Sequence, residues 1–167
     1  MRVLGVDPGS RTTGFGLVEM RSGRLFHLHD EELKLSARDA PDRRLARLFE
    51  HTGELITAYA PEQVAVEGVF YGSNVKSMLV LGEARGAVMV AAARLELPIY
   101  EYPPAQVKQA IVGYGRATKE QIQHMVKLLL QRNEVAGEHA ADALAIAICH
   151  LHSQTGPGAG MIGGGQR

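Results

Sequence analysis

Along this chain, short apolar runs that stop at an acid alternate with longer stretches of helical spacing. Residues 3–6 (VLGV) run into Asp7 and the Pro8-Gly9 pair, the pattern of a buried strand handed over to a sharp turn. "TGFGLVEM" and "GRLFHLHDEEL" then alternate apolar with polar or small residues around Ser22-Gly23, which predicts antiparallel strands joined by a tight turn. Between 41 and 60, Leu45, Leu48, Phe49, Leu55, Ile56 and Tyr59 lie mostly along one helical face, with Pro41 suited to a first turn and Pro61 closing the helix. "EQVAVEG" repeats the opening arrangement, a buried strand with Glu67 at its carboxyl end.

A long helix is predicted from about 74 to 97, with Gly82 and Gly86 where another helix can approach, in a two-fold contact or in packing within one chain. "LPIYEYP" reads as a fifth strand halted by Pro103 and Pro104. "AQVKQAIVGYG" and "TKEQIQHMVKLLLQ" are helical patterns split by Gly113 and Gly115, with Thr118 as N-cap and Gln121 completing a capping box. "EHAADALAIAICHLHSQ" is the last helix. After a domain covering 1–154, the glycine-rich residues 155–167 are expected to be disordered. The order predicts an α/β fold: a five-stranded mixed sheet, three antiparallel strands then two parallel, with helices on both faces. Ligands of such sheets favour the carboxyl ends of the parallel strands, where Asp7 and Glu67 both lie.

Composition narrows the classes. At 167 residues one domain is the default, and net charge is zero, so any nucleic-acid surface has to be local. "AVMVAAARLELPIY" is interrupted by Arg94, Glu96 and Pro98, short of a membrane span, and the first residues lack a signal pattern. Cys149, the single cysteine, sits in an apolar helical pattern and reads as a reduced core thiol. A cytoplasmic protein without a membrane partner is expected.

Taken alone, Asp7 is best explained as a cap on its own turn. The last helix changes that balance. His139 and Asp142 are three residues apart and share a face, and the flanking alanines let the helix lie close to the sheet. A carboxylate pressed there needs a hydrogen bond, a cation or a proton, and a backbone donor or a Lys or Arg would serve as well as a metal. Two strand-end carboxylates joined by this pair would form a nest of negative charge relieved by divalent ions. Oxygen ligands favour Mg²⁺ or Mn²⁺, imidazole leans towards Mn²⁺, and two such ions support phosphodiester hydrolysis.

"GVDPGSRTTGFG", "VAVEGVFYGSN", "LGEARG", "QVKQAIVGYGRATKEQIQHMV" and "HAADALAIAICH" together resemble the RuvC family of bacterial Holliday-junction resolvases, over nearly all of the chain up to about residue 153. The resemblance implies an RNase H-like fold, a homodimer, and paired metal-dependent nicks placed symmetrically on a four-way DNA junction during recombination and repair. It makes Asp7, Glu67 and Asp142 the catalytic carboxylates and metal ligands, with RuvA and RuvB as partners in branch migration. Where the family commonly reads "DAADA" this chain reads "HAADA", so His139 takes the fourth position, as metal ligand or as general base. Glu138 is a lesser substitute, pointing about a quarter-turn away.

For DNA, the loop after Glu67 carries Phe70 and Tyr71, and Phe70 matches the family's base-stacking aromatic; both also read as ordinary packing residues. Lys76, Arg85, Lys108, Arg116 and Lys119 are candidate phosphate contacts, Lys108 and Lys119 foremost because they align with the family's DNA-contacting lysines. "RDAPDRRLARLF" is the densest charge run, and with Asp39 and Asp42 interleaved it reads as a solvated helix start.

Three other functions compete with a junction endonuclease. A junction-binding protein impaired in catalysis would follow if His139 were a lesion. An RNase H-like ribosomal-RNA processing nuclease shares the Asp7-type entry but generally lacks the "QVKQ" and "HAADALA" segments. An actin-like ATPase would need a second phosphate loop, and nothing after Glu67 repeats "DPGS".

Overall fold

The computed structural model describes residues 1–68 and 75–155. Five strands, β1 (Arg2–Asp7), β2 (Thr12–Arg21), β3 (Arg24–Lys34), β4 (Gln63–Glu67) and β5 (Ile99–Tyr102), form one sheet in the order β3-β2-β1-β4-β5. The first three pair antiparallel, and β1–β4 and β4–β5 pair parallel. Ser22 and Gly23 both take positive φ, 48° and 76°, the turn geometry whose twist matches the flanking strands. The mixed sheet expected from the pattern is the one observed.

The helices are α1 (Pro41–Tyr59), α2 (Val75–Arg94), α3 (Pro104–Val112), α4 (Lys119–Leu129) and α5 (Glu138–Thr155). Helix α4 has the capping box expected of Thr118 and Gln121, with side chain and backbone bonded in both directions. Helix α2 ends sooner than 97: Leu95 and Leu97 both donate to the Ala92 carbonyl, and Glu96 leaves the helix at φ 57°. Its expected start near 74, and the expected disorder beyond Thr155, lie outside the described residues.

Strand alternation decides which side chains meet which helices. Leu4, Val6, Phe15, Leu17, Val64 and Val66 form a core with α1 and α2. Val3, Val18, Ala65 and Tyr102 form the other with α3, α4 and α5. Asp7 and Glu67 alternate in step with Val3 and Ala65, so both belong to the α5 face. Helix α5 is buried over most of its length. Its alanines meet a track of glycines on the strands. A Cβ at Gly5 would sit 2.1 Å from the Ala143 carbonyl oxygen, one at Gly14 would sit 1.9 Å from that of His139, and one at Gly16 would sit 2.6 Å from the Leu144 nitrogen. Only glycine admits a helix backbone so close to a sheet.

By contrast, a Cβ at Gly82 or Gly86 would meet none of the described residues within 4 Å. The buried face of α2 is instead Ala84, Val88, Ala91 and Ala92.

Candidate active site

The register of the sheet places the two strand-end acids side by side. Val6 pairs with Val66 across β1 and β4, which brings Asp7 next to Glu67, and Asp7 pairs with Gly14 on its other side. Because Gly14 lies under the His139 carbonyl, the first turn of α5 comes down directly over Asp7. His139 Nδ1 is 2.7 Å from Asp7 Oδ2. One ligand atom from each of Asp7, His139 and Asp142 fits within 4.8 Å of the others, across 135 residues of chain. Glu67 borders this trio without belonging to it at that spacing.

Electrostatics show how tightly the acids are crowded. Burial pushes the Glu67 carboxyl up to about 7, reinforced by the charges of Asp7 and Asp142 and offset in part by Lys108 and Lys119. Asp7 is raised by burial and by Asp142 against the pull of His139, and Asp142 is raised by burial against the pull of Lys119. The cation that reaches in is Lys119, at the start of α4, with Nζ 3.0 Å from Glu138 Oε2 and 3.4 Å from Asp142 Oδ2. Hydrogen bonding to Glu138 chiefly raises its own pKa, with Asp142 adding to the effect. Lys119, with Lys108 farther off, leaves Asp7 and Glu67 short of positive charge. Carboxylates destabilised as anions, together with one imidazole, are a donor set suited to a hard or borderline divalent cation.

The other expected DNA contacts separate. Lys76 and Arg116 are exposed, Lys108 is half-buried and close enough to influence Glu67, and Arg85 is ion-paired to Glu101 on β5. Phe70 and Tyr71 lie outside the described residues.

Two acids not singled out in the sequence also matter here. Glu32 Oε1 accepts the His139 backbone N–H at 2.9 Å, and Asp30 accepts that of Ala136 while meeting His27. These carboxylates on β3 satisfy the open donors at the start of α5 and fix where His139 sits. The signal was present in "HDEEL", where alternation puts Asp30 and Glu32 on one face. A bulge at Leu28 of β3, opposite Leu17 and Val18 of the partner strand, brings His27 onto that face as well.

The sequence pattern described as crossover junction endodeoxyribonuclease RuvC matches residues 3–150. The chain belongs to the RuvC family. A crossover junction endodeoxyribonuclease RuvC from Trichlorobacter lovleyi is 52% identical over 163 residues, covering 94% of this chain and 91% of the relative. The RuvC structure from Thermus thermophilus superposes with a TM-score of 0.83 at 38% identity, covering 92% of this chain and 95% of that one. RuvC from the same organism, in complex with Holliday junction substrate, gives 0.86 at 38% identity over 90% of this chain and 93% of that one. RuvC-family nucleases use divalent metals, in keeping with the donor set above. Among the described residues no helix is long and apolar enough to cross a membrane.

Proposed function

We propose that this RuvC-family endodeoxyribonuclease resolves four-way DNA junctions by one metal-assisted nick per subunit, in recombination and repair of DNA in the cytoplasm. The observation that carries the reading is the convergence of Asp7, His139 and Asp142 beside Glu67 at the carboxyl edge of the parallel strands. A similar fold was solved with a Holliday junction substrate, which supports a junction as the target. Asp7, Glu67, Asp142 and His139 would hold the cations. When bound, Mg²⁺ or Mn²⁺, about two per site, supply Lewis-acid activation of water and charge neutralisation at the leaving oxygen. His139 donates its Nδ1–H to Asp7 in the geometry observed, and the same nitrogen is a ligand or proton acceptor once that proton leaves. Lys119 neutralises Asp142 and stands where a phosphate would approach, Lys108 adds positive charge near Glu67, and the exposed Arg116 and Lys76 are proposed as further phosphate contacts.

A homodimer supplies the second centre that symmetric cleavage requires. The stripe of Val75, Leu79, Gly82, Gly86 and Val90 along α2 supports it: Val75 is 70% and Leu79 is 64% exposed, and the glycines are open. RuvA and RuvB are proposed as the partners that deliver the junction.

The test is incubation of a synthetic four-way junction with the protein and Mg²⁺ or Mn²⁺. Paired symmetric nicks, lost in Asp7→Asn while junction binding persists, are the expected result. Binding without nicks in either metal would favour the impaired junction binder instead.

A further inference from the structure

The arginine-rich start of α1, expected to be merely solvated, is tied to the active centre by backbone contacts. Arg44 Nη1 donates to the Ser10 carbonyl at 3.4 Å, and Leu35 N–H donates to the Arg11 carbonyl at 2.7 Å. Thr12 pairs with Lys34. The loop that leaves Asp7, the end of β3 and the first turns of α1 therefore form one continuous surface. It carries Arg11, Lys34, Arg38, Arg43, Arg44 and Arg47, all exposed but the half-buried Arg44.

Some cations elsewhere in the molecule, Arg2, Arg21, Arg85 and Lys119, are engaged by carboxylates. Among the described residues these six cations form no ion pair, although Asp39 and Asp42 lie in the same stretch. In a chain of zero net charge, long-range attraction to a polyanion has to come from such unneutralised patches. Flexible, spaced cations suit a continuous phosphate backbone better than a point ligand, because each can find its own phosphate.

We propose that this surface, continuous with the loop that leaves Asp7, binds the phosphate backbone of a duplex arm of the DNA substrate. The inference rests on the nuclease reading above and extends its DNA footprint to a segment outside the lysines already named.

The test pairs Arg43→Ala with Arg47→Ala. These residues are one helical turn apart, exposed and without side-chain partners, so the variant should melt within about a degree of the parent. Binding to a four-way junction is measured across a salt series, with Asp7→Asn as the shared background to prevent cleavage. Expected are affinity lowered roughly tenfold near 0.1 M salt and a log–log salt slope shallower by about 2, one unit per lost phosphate contact. Unchanged affinity and slope in a variant that binds normally would overturn this inference alone. A folded parent protein that binds no junction would overturn it together with the nuclease reading.

Discussion

Helix α5 carries histidines near its two ends, and their surroundings are opposites. His150 is fully buried yet completely served: Tyr102 Oη lies 2.7 Å from Nδ1, Gln63 Oε1 accepts from Nε2, and Ser153 Oγ lies 2.9 Å from the same tyrosine hydroxyl. His139 is partly open, and its partner Asp7 belongs to a set of carboxyls that burial and mutual repulsion all push towards protonation. One end of the helix is a satisfied polar pin that specifies how α5 seats on β4 and β5. At the other end, an unmet demand for positive charge is what makes a site.

The comparison can be broken most sharply at Asp7. Asp7→Asn should lower junction cleavage by more than about a hundredfold, beyond what loss of an outer-shell partner typically costs. In chelator the same variant should melt higher than the parent, because a crowded charge has gone. A variant that melts lower in chelator would show that Asp7 is a structural cap after all.

Gly14→Ala places a methyl against the His139 carbonyl, with the Cβ at 1.9 Å, and the backbone of α5 has to move to admit it. A loss of about 3 kcal/mol or more is expected in denaturant unfolding, together with loss of metal binding in whatever remains folded. A loss below about 1 kcal/mol would mean that the helix does not rest on the strand there.

His150→Leu removes the pin, takes the Gln63 amide's partner and leaves the Tyr102 hydroxyl with Ser153 alone. The expected cost is about 2–3 kcal/mol, with cleavage per folded molecule unchanged. Burial lowers the His150 pKa to about 4 from an ordinary 6.5. The unfolded chain therefore binds the extra proton between those values. Stability is fully present above about pH 6.5 and falls as pH drops towards 4, by about 3 kcal/mol in all. The variant should lose that slope.

Glu67 should give the opposite slope. With its folded pKa raised from 4.5 to about 7, its contribution is complete below pH 4.5 and is lost as pH rises through 7. Glu67→Gln in chelator should flatten this limb and raise the melting temperature near pH 7.5. Urea melts of parent and both variants, recorded from pH 4 to 8, read the two slopes separately.

The smallest effect is expected at Lys119. Lys119→Met should tighten Mn²⁺ binding in the absence of DNA by a few-fold, because the competing ammonium is gone, while weakening junction binding. Calorimetric titration of metal into the free protein checks the first half.

Most of the architecture was legible because it rests on local rules. Apolar runs stopped by Pro8-Gly9 and by Pro103-Pro104, the Ser22-Gly23 turn and the Thr118–Gln121 box each need only neighbours in sequence to act. The candidate acids were legible because Asp7 and Glu67 repeat one strand-end pattern and Asp142 shares a face with His139 on an alanine-rich helix. Hidden were the relations set by packing across the chain. The clamp of Asp30 and Glu32 on α5 spans more than 100 residues. The Arg85–Glu101 pair, the grip of Lys119 on Asp142 and, among the described residues, the lack of an ion pair at the start of α1 likewise depend on which elements become neighbours.

The sequence by itself determined the strands, the helices and the acids at strand ends, because hydrophobic period, turn chemistry and capping are short-range. Tertiary structure alone decided which groups share a charge. Distances between side chains remote in sequence follow from sheet register and from how closely the Gly5, Gly14 and Gly16 track admits α5. Electrostatic interaction depends on those distances and on burial, neither of which a linear pattern contains.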